Sequence, residues 1–341
     1  MPPGLTLTGG QITGTPTSTG TTAFTVKATD SGSPAQIATQ SLSLTVNASG
    51  CPCSIAGSIT GTGGNAATVT LSGAGSATVT ADASGNYIFN GLANGSYTVT
   101  PSHGGFIFSP SSLGVTLAGA NKTGANFSST AQLAIDQTVS TDRSTAATTI
   151  ASPTFSTTKP NELLLAFIAT DATAANITVK GVTGAGLTWT LVKRTNTQFG
   201  TSEIWRALSS TALSSVSVTA TLSQSVAASI TMVTFTGVDS SGTGGSGAIG
   251  NTGSGNANPG APTAQLTTTR NNSWVFGVGN DYDNAIARTP GPNQTVFHQY
   301  FSTLGDTYWF QRQNATTPAS GTVATINDTA PTTDRDRKSV V

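Results

Sequence analysis

The sequence predicts an all-β protein built from tandem β-sandwiches, and three observations carry that prediction. Charged residues make up only 8% of the 341-residue chain, against about 25% in an average soluble domain, and Gly, Ser, Thr and Ala fill the space they leave. Thr- and Gly-rich sequence broken by short alternating apolar runs suits strands and tight turns. No long window carries the 3.6-residue period of a helix, so almost no helix is expected. A hydrophobic fraction of 36% is low but compatible with folded cores, and the length suits two or three domains.

Residues 1–46 are expected to form the first, partial domain. The opening Pro2-Pro3-Gly4-Leu5, the step Ile12-Thr13-Gly14-Thr15-Pro16 and the strands at 24–26 and 42–46 resemble the later part of the cadherin-like, Ig-type repeat of bacterial surface proteins. The resemblance implies an N-terminally truncated domain whose strands lack partners. Ala28-Thr29-Asp30-Ser31-Gly32-Ser33-Pro34 resembles the cadherin segment whose Asp helps to bind calcium between repeats. Calcium needs about six to eight oxygens, so Asp30 alone is a turn-capping residue first and a calcium ligand second.

Residues 47–54 read as a linker. They hold both cysteines of the chain, Cys51 and Cys53, in Ser-Gly-Cys-Pro-Cys-Ser. A bridge across one residue is strained, and a metal would need further ligands that no His or Cys cluster supplies. The pair is read as a linker feature, with a redox-sensitive or intermolecular disulfide as the alternative.

Residues 55–128 carry the most positional information. Alternating runs at 68–71 and 77–81 lead into the turn Asp82-Ala83-Ser84-Gly85-Asn86; Tyr87, Phe89 and Leu92 follow with period 2. Asn94-Gly95 then makes a tight turn into a partner strand at 97–100. The run from Thr80 and Asp82 through Gly85, Tyr87, Phe89, Leu92, Gly95, Tyr97 and Val99 resembles the transthyretin-like sandwich of carboxypeptidase regulatory-like and collagen-adhesin B-type repeats. That resemblance implies a stalk, spacer or binding module and no catalysis. Some B-type repeats crosslink a first-strand Lys to a last-strand Asn. Here 55–60 contains no Lys, and Lys122 lies close to Asn126, so no crosslink is expected.

From Ala131 the strands lengthen and Trp appears. Strands are expected at 162–168, 187–192, 203–205, 216–222, 230–235, 273–278, 295–301, 307–311 and 322–326, a jelly-roll-like sandwich over 131–335. Its segments PNELLLAF, WTLVKR, EIW, VTFTGV, GVGNDYD and GPNQT resemble a recurrent domain of bacterial exported proteins, and the resemblance implies no activity. The Gly/Ser/Asn-rich stretch 239–262 is expected to be a long mobile loop. Its formal GxGxxG at 245–250 is followed by Asn, Gly and Pro in place of a helix, which removes the dinucleotide meaning. The last six residues, Asp336-Arg337-Lys338-Ser339-Val340-Val341, back-translate as GAT CGG AAG AGC GTC GTG, the start of a common sequencing adapter. They are expected to be an artefact that leaves the domain without its closing strand.

Catalysis finds little support. The two histidines, His103 and His298, sit in a turn and mid-strand, and no Gly-x-Ser-x-Gly elbow occurs. Asp281 and Asp283 point the same way if extended, with Asp306 and Glu203 as companions. Turn capping, a calcium or polar-ligand site, and glycosidase acids are the three readings, in that order. Trp274, Tyr282, Tyr300, Tyr308 and Trp309 cluster around that stretch. Rings flanked by Asp and Asn suit stacking on sugars, which makes Tyr282, Tyr308, Trp309, Asp281 and Asp283 the candidate ligand-binding residues and Asp30, Asp281 and Asp283 the candidate calcium ligands. Trp189 and Trp205, inside apolar strands, are assigned to the core.

Fourteen basic and fourteen acidic residues, scattered singly, give zero net charge and no footprint for nucleic acid. No apolar run reaches the roughly 18 residues that span a bilayer, and the N-terminus lacks a signal peptide. The resemblances nonetheless imply an extracellular or cell-surface location, with export signal and anchor outside this fragment. The expectation is a non-catalytic, monomeric, modular stalk and adhesion protein needing no cofactor beyond calcium; its alternative is the polysaccharide-binding accessory part of a secreted hydrolase.

Overall fold

The computed structural model describes residues 1–46, 52–333 and 336–341, so Cys51 and Arg335 lie outside the described residues. The fold is all-β: the described residues form strands and a single three-residue 3-10 turn, Ser246–Ala248. The chain divides into two compact units, Met1–Gly104 with Phe108–Ser129 and Gly105–Ile107 with Thr130–Val341.

In the first unit, β1 (Leu5–Thr8) and β2 (Gln11–Gly14) pair as one hairpin, and β3 (Gly20–Thr29) and β4 (Ile37–Val46) as another. Period-2 alternation sets the second hairpin's faces: Thr22, Phe24 and Val26 are half-buried while their neighbours are exposed. Asp30 closes the connection between these strands, its Oδ1 accepting the N–H groups of Gly32 and Gln36 at 3.1 and 2.7 Å.

Next come β5 (Cys53–Thr60), β6 (Thr68–Gly73), β7 (Ala77–Thr80), β8 (Asn86–Leu92), β9 (Gly95–Ser102), β10 (Phe106–Ser109), β11 (Leu113–Leu117) and β12 (Phe127–Ala131). They build two four-stranded sheets, ordered β10-β12-β5-β8 and β11-β9-β6-β7. The expected hairpin at 68–81 forms as β6 and β7, and Asp82 Oδ1 caps the following turn through the N–H groups of Ser84 and Asn86, both at 2.8 Å. One expectation fails. β8 and β9, read as partners across Asn94-Gly95, lie in different sheets. The reason is burial: Tyr87 and Phe89 of β8 and Tyr97 and Val99 of β9 all point into one core, so the turn carries the chain from sheet to sheet. Cys53, read as linker, opens β5; it is disulfide-bonded and 2% exposed in that core.

The second unit contains β13 (Ala134–Ala151), β14 (Glu162–Ala175), β15 (Val179–Gly184), β16 (Thr190–Thr195), β17 (Phe199–Ser209), β18 (Val218–Thr236), β19 (Gly253–Ala257), β20 (Thr263–Thr267), β21 (Phe276–Asp281), β22 (Thr289–Pro290), β23 (Gln294–Phe301), β24 (Thr307–Gln313), β25 (Val323–Ala330) and β26 (Asp336–Val340). The main sheet runs β13-β18-β14-β17-β16, with β15 also on β18; the others run β19-β26-β21-β24-β23 and β20-β25-β22. The unbroken apolar run of β14 is explained by burial on both faces. Leu164, Ala166 and Ile168 enter one core with Trp189 and Trp205, as expected of those two tryptophans; Leu163, Leu165 and Phe167 enter another with Phe276, Tyr308 and Phe310. Phe167 and Phe310 have ring centroids 4.6 Å apart.

Two further expectations are corrected. The stretch 239–262 is not structureless: it contains the 3-10 turn and β19, which pairs with β26. The C-terminal residues, expected to leave a sheet without its closing strand, form β26 between β19 and β21, with Lys338, Ser339 and Val340 fully buried.

Candidate functional site

The residues singled out around 281–309 divide between an interior charge cluster and a half-buried tyrosine, Tyr282. β21 and β24 are cross-strand neighbours, with Gly279 opposite Trp309 and Asn280 opposite Tyr308. A Cβ on Gly279 would lie 2.2 Å from Trp309 Cζ2, so only glycine lets the indole lie flat on β21. Trp309 is 1% exposed and Tyr308 is not exposed at all. Neither is available for stacking on a sugar, which corrects the assignment of both to a ligand surface. Alternation along β24 sends Tyr308 into the aromatic core and Trp309 to the opposite face.

On that face Trp309 sits among buried charges. The Arg288 guanidinium lies 4.7 Å and the Lys338 ammonium 5.5 Å from its ring centroid, close enough for cation–π attraction. Its Nε1 donates to Gln311 Oε1 at 2.8 Å, and Lys338 Nζ donates to the same oxygen and to Asp328 Oδ2, both at 2.9 Å. Asp281 pairs with Arg288, both side chains fully buried. Among the described residues, Arg288 faces Asp281 and Lys338 faces Asp328, and it is such pairing with hydrogen bonds that lets charges persist inside a protein.

Asp281 also accepts the Asp283 N–H at 3.1 Å, the turn-capping role. Its carboxylate is therefore engaged by Arg288 and by the turn, and Asp283 is exposed beside it. Among the described residues no group of three or more His, Cys, Asp or Glu could hold a metal ion. Glu203, weighed as a companion, stands apart from this cluster as a buried hub. Its carboxylate accepts Arg194 Nε and Nη2 (2.8 and 3.0 Å), Trp205 Nε1 (2.9 Å), Thr201 Oγ1 (3.1 Å) and the Val179 N–H (2.8 Å).

Asp306, the other companion, is 1% exposed and accepts the Tyr308 hydroxyl at 3.0 Å. Burial, with repulsion from Asp171, pushes its carboxyl up to about 6, and burial also raises Asp171. His298 Nε2 sits 2.9 Å from Asp142 Oδ2, while Ser144 bonds the Tyr300 hydroxyl at 2.6 Å in place of the imidazole. His103 Nδ1 lies 2.9 Å from the Gly63 carbonyl. Among the described residues, His298 is thus held by a carboxylate and His103 by a backbone carbonyl, and neither bond is the serine–base contact of a nucleophilic site.

Tyr282 remains at the surface. Its ring packs against Phe199 with centroids 5.4 Å apart and an interplanar angle of 42°. Phe199 opens β17 and is 43% exposed. Exposed polar groups flank the pair in sequence and through bonds: Asp283 and Asn284 beside Tyr282, and Thr197, whose hydroxyl accepts Asn256 Nδ2 at 2.9 Å. Sequence reasoning missed Phe199; its signal was an aromatic between Gln198 and Gly200 in a polar turn, where no apolar stripe explains it.

No protein-family model and no curated protein matches the sequence. Among solved structures, the chain is similar to a DUF3823 family protein from Parabacteroides merdae (18% identity, 34% of this chain and 65% of that one, TM-score 0.19). It is also similar to a candidate carbohydrate-binding protein from Bacteroides uniformis (19%, 35% and 61%, 0.20) and to BcpA, the major pilin subunit of Bacillus cereus (11%, 84% and 95%, 0.24). The chain thus spans less than two thirds of the first two proteins, and likenesses at such scores carry no functional argument. Among the described residues no helix is long and apolar enough to cross a membrane.

Proposed function

We propose that this chain is part of a non-catalytic, modular bacterial surface or secreted protein, in which the sandwiches act as a stalk and the second unit recognises a saccharide. The observation that carries the recognition role is the Phe199–Tyr282 ring pair, partly exposed and flanked by amide, hydroxyl and carboxylate side chains. Flat rings offer apolar faces to the C–H faces of a sugar, and neighbouring polar groups bond its hydroxyls. The paired four-stranded sheets of residues 53–131 support the reading of that region as a carboxypeptidase regulatory-like or adhesin B-type spacer. The antiparallel hairpins of residues 5–46 support the reading of that region as cadherin-like.

Affinity electrophoresis against a panel of plant and bacterial polysaccharides tests the recognition role. The expected result is retardation of the wild-type chain by at least one polysaccharide, lost in Phe199→Ala and in Tyr282→Ala. Absence of retardation, or equal retardation of both variants, would refute it. The same surface would serve an accessory module of a secreted hydrolase, and the full-length gene separates the two settings by showing whether a catalytic domain neighbours this one.

A further inference from the structure

A concave site lies within the second unit, and its lining includes neither Phe199 nor Tyr282. It is a cavity of about 460 Å³, lined on its apolar side by Leu163, Leu165, Phe235, Leu266, Trp274 and Phe276. Small-molecule pockets occupy about 300–1,000 Å³ and are mostly apolar with a few convergent polar groups. The pocket is partly open to solvent, which gives a ligand a way in, and an apolar cavity of only about 150 Å³ already admits benzene.

The wall is pre-organised. Trp274 Nε1 donates to the Gln313 carbonyl at 2.7 Å, and the Arg312 guanidinium lies 4.5 Å from the indole centroid, so the ring is fixed by two independent contacts. Phe276 packs against Trp274 with centroids 5.1 Å apart. The 3-10 turn contributes Ala248 from the loop side, and its approach depends on Gly245, where a Cβ would meet Leu163 Cδ1 at 2.8 Å.

The lining also carries polar side chains, among them Arg270, Asp239, Thr268 and Asn271. Arg270 and Asp239 form an ion pair, with side chains 53% and 35% exposed. The Ser241 N–H also holds Asp239, at 2.8 Å, which anchors the carboxylate and leaves the guanidinium with donors beyond the one given to Asp239. A guanidinium donates and never accepts, so the complementary group on a ligand is a hydrogen-bond acceptor.

We infer that this cavity binds a small, largely apolar molecule, aliphatic or aromatic, whose single polar end accepts a hydrogen bond from Arg270. The ligand class differs from the saccharide proposed for Phe199 and Tyr282, and the two sites fail or succeed independently.

The test uses the full chain and the neutral fluorophore N-phenyl-1-naphthylamine. Saturable fluorescence enhancement at one site per chain is expected, with energy transfer from tryptophan that falls in Trp274→Phe. Ala248→Phe, a filling change on the loop side, should weaken the probe at least tenfold while leaving the circular dichroism spectrum and melting profile intact. Dodecanol and dodecanoate should both displace the probe, and Arg270→Gln should weaken both about tenfold, the effect of losing a charge-assisted hydrogen bond. Non-saturable binding, or a folded Ala248→Phe chain that binds as wild type, overturns the site. Displacement unaltered by Arg270→Gln overturns the assignment of the polar end.

Discussion

Lys338 and Asp328 form an ion pair 2.9 Å long in which neither side chain has any solvent exposure. Burial raises the Asp328 carboxyl, and Lys338 opposes that shift by charge and hydrogen bond. Removing one partner of such a pair strands the other, at a cost of about 3–5 kcal/mol. Lys338→Met should therefore lower the denaturant midpoint of the second unit strongly, and Lys338→Met with Asp328→Leu should recover much of the loss. If the double variant were no more stable than the single one, the stranded charge would not be the cause.

Glu203 offers a parallel case with an optical reporter. Its carboxylate accepts five hydrogen bonds, one from Trp205 Nε1. Glu203→Gln keeps the shape but puts an NH₂ where one oxygen accepts from donors. A loss of about 3 kcal/mol, with altered Trp emission before unfolding, is expected by denaturation followed at 350 nm or so. Unchanged stability would show that Arg194 finds compensation in water.

The pH dependence of stability should carry a signature of Asp306. Its folded value is about 6 against an ordinary 3.8. A carboxyl raised in the folded state holds its proton more tightly there, so its contribution is complete below the unfolded value and is lost as pH rises through the folded one. Stability attributable to this group should fall between about pH 4 and pH 6, by up to about 3 kcal/mol. Asp306→Asn, compared with wild type by urea titration at pH 4, 5, 6 and 7, should remove that slope; a slope of equal size in the variant would assign it to another group.

Gly57 in β5 is a position where one methyl group should break a sandwich. A Cβ there would lie 1.9 Å from the Ala125 carbonyl oxygen and 2.7 Å from the Tyr87 hydroxyl, which itself donates to that carbonyl. Gly57→Ala must push β5 away from the chain at 125, and destabilisation of about 3 kcal/mol or more is expected by thermal denaturation. A melting temperature equal to wild type would mean the strands separate without cost.

The all-β class and the core tryptophans were legible because period-2 alternation and apolar runs report burial directly. Strand partners were less legible: Tyr87 and Tyr97 both point inward, and the sequence does not say whether the turn at Asn94-Gly95 joins paired strands or crosses between sheets. β13 escaped because its Thr, Ser and Asp residues carry no apolar stripe, although it pairs along most of β18. The site was misjudged for one physical reason. Charges and polar-flanked rings read as surface, but Asp281, Arg288, Asp328 and Lys338 neutralise one another around Trp309 in the interior. Of the residues named as ligand-binding, Tyr308 and Trp309 are interior, whereas Tyr282 is partly exposed and packs against Phe199, which no spacing rule had marked.

The pairing of β5 with β12 bears on how this sandwich would respond to a pull. These strands, the first and last of their sandwich, run parallel, with Phe127 opposite Ile59 and Ser128 opposite Thr60. The ladder continues backwards through Ala125 N–H to the Ala56 carbonyl, Ala56 N–H to the Lys122 carbonyl and Lys122 N–H to the Ser54 carbonyl. A parallel pair whose chain enters at one end and leaves at the other cannot be peeled open one bond at a time. Tension applied along the chain loads the whole ladder in shear, and the sandwich resists until those bonds fail together.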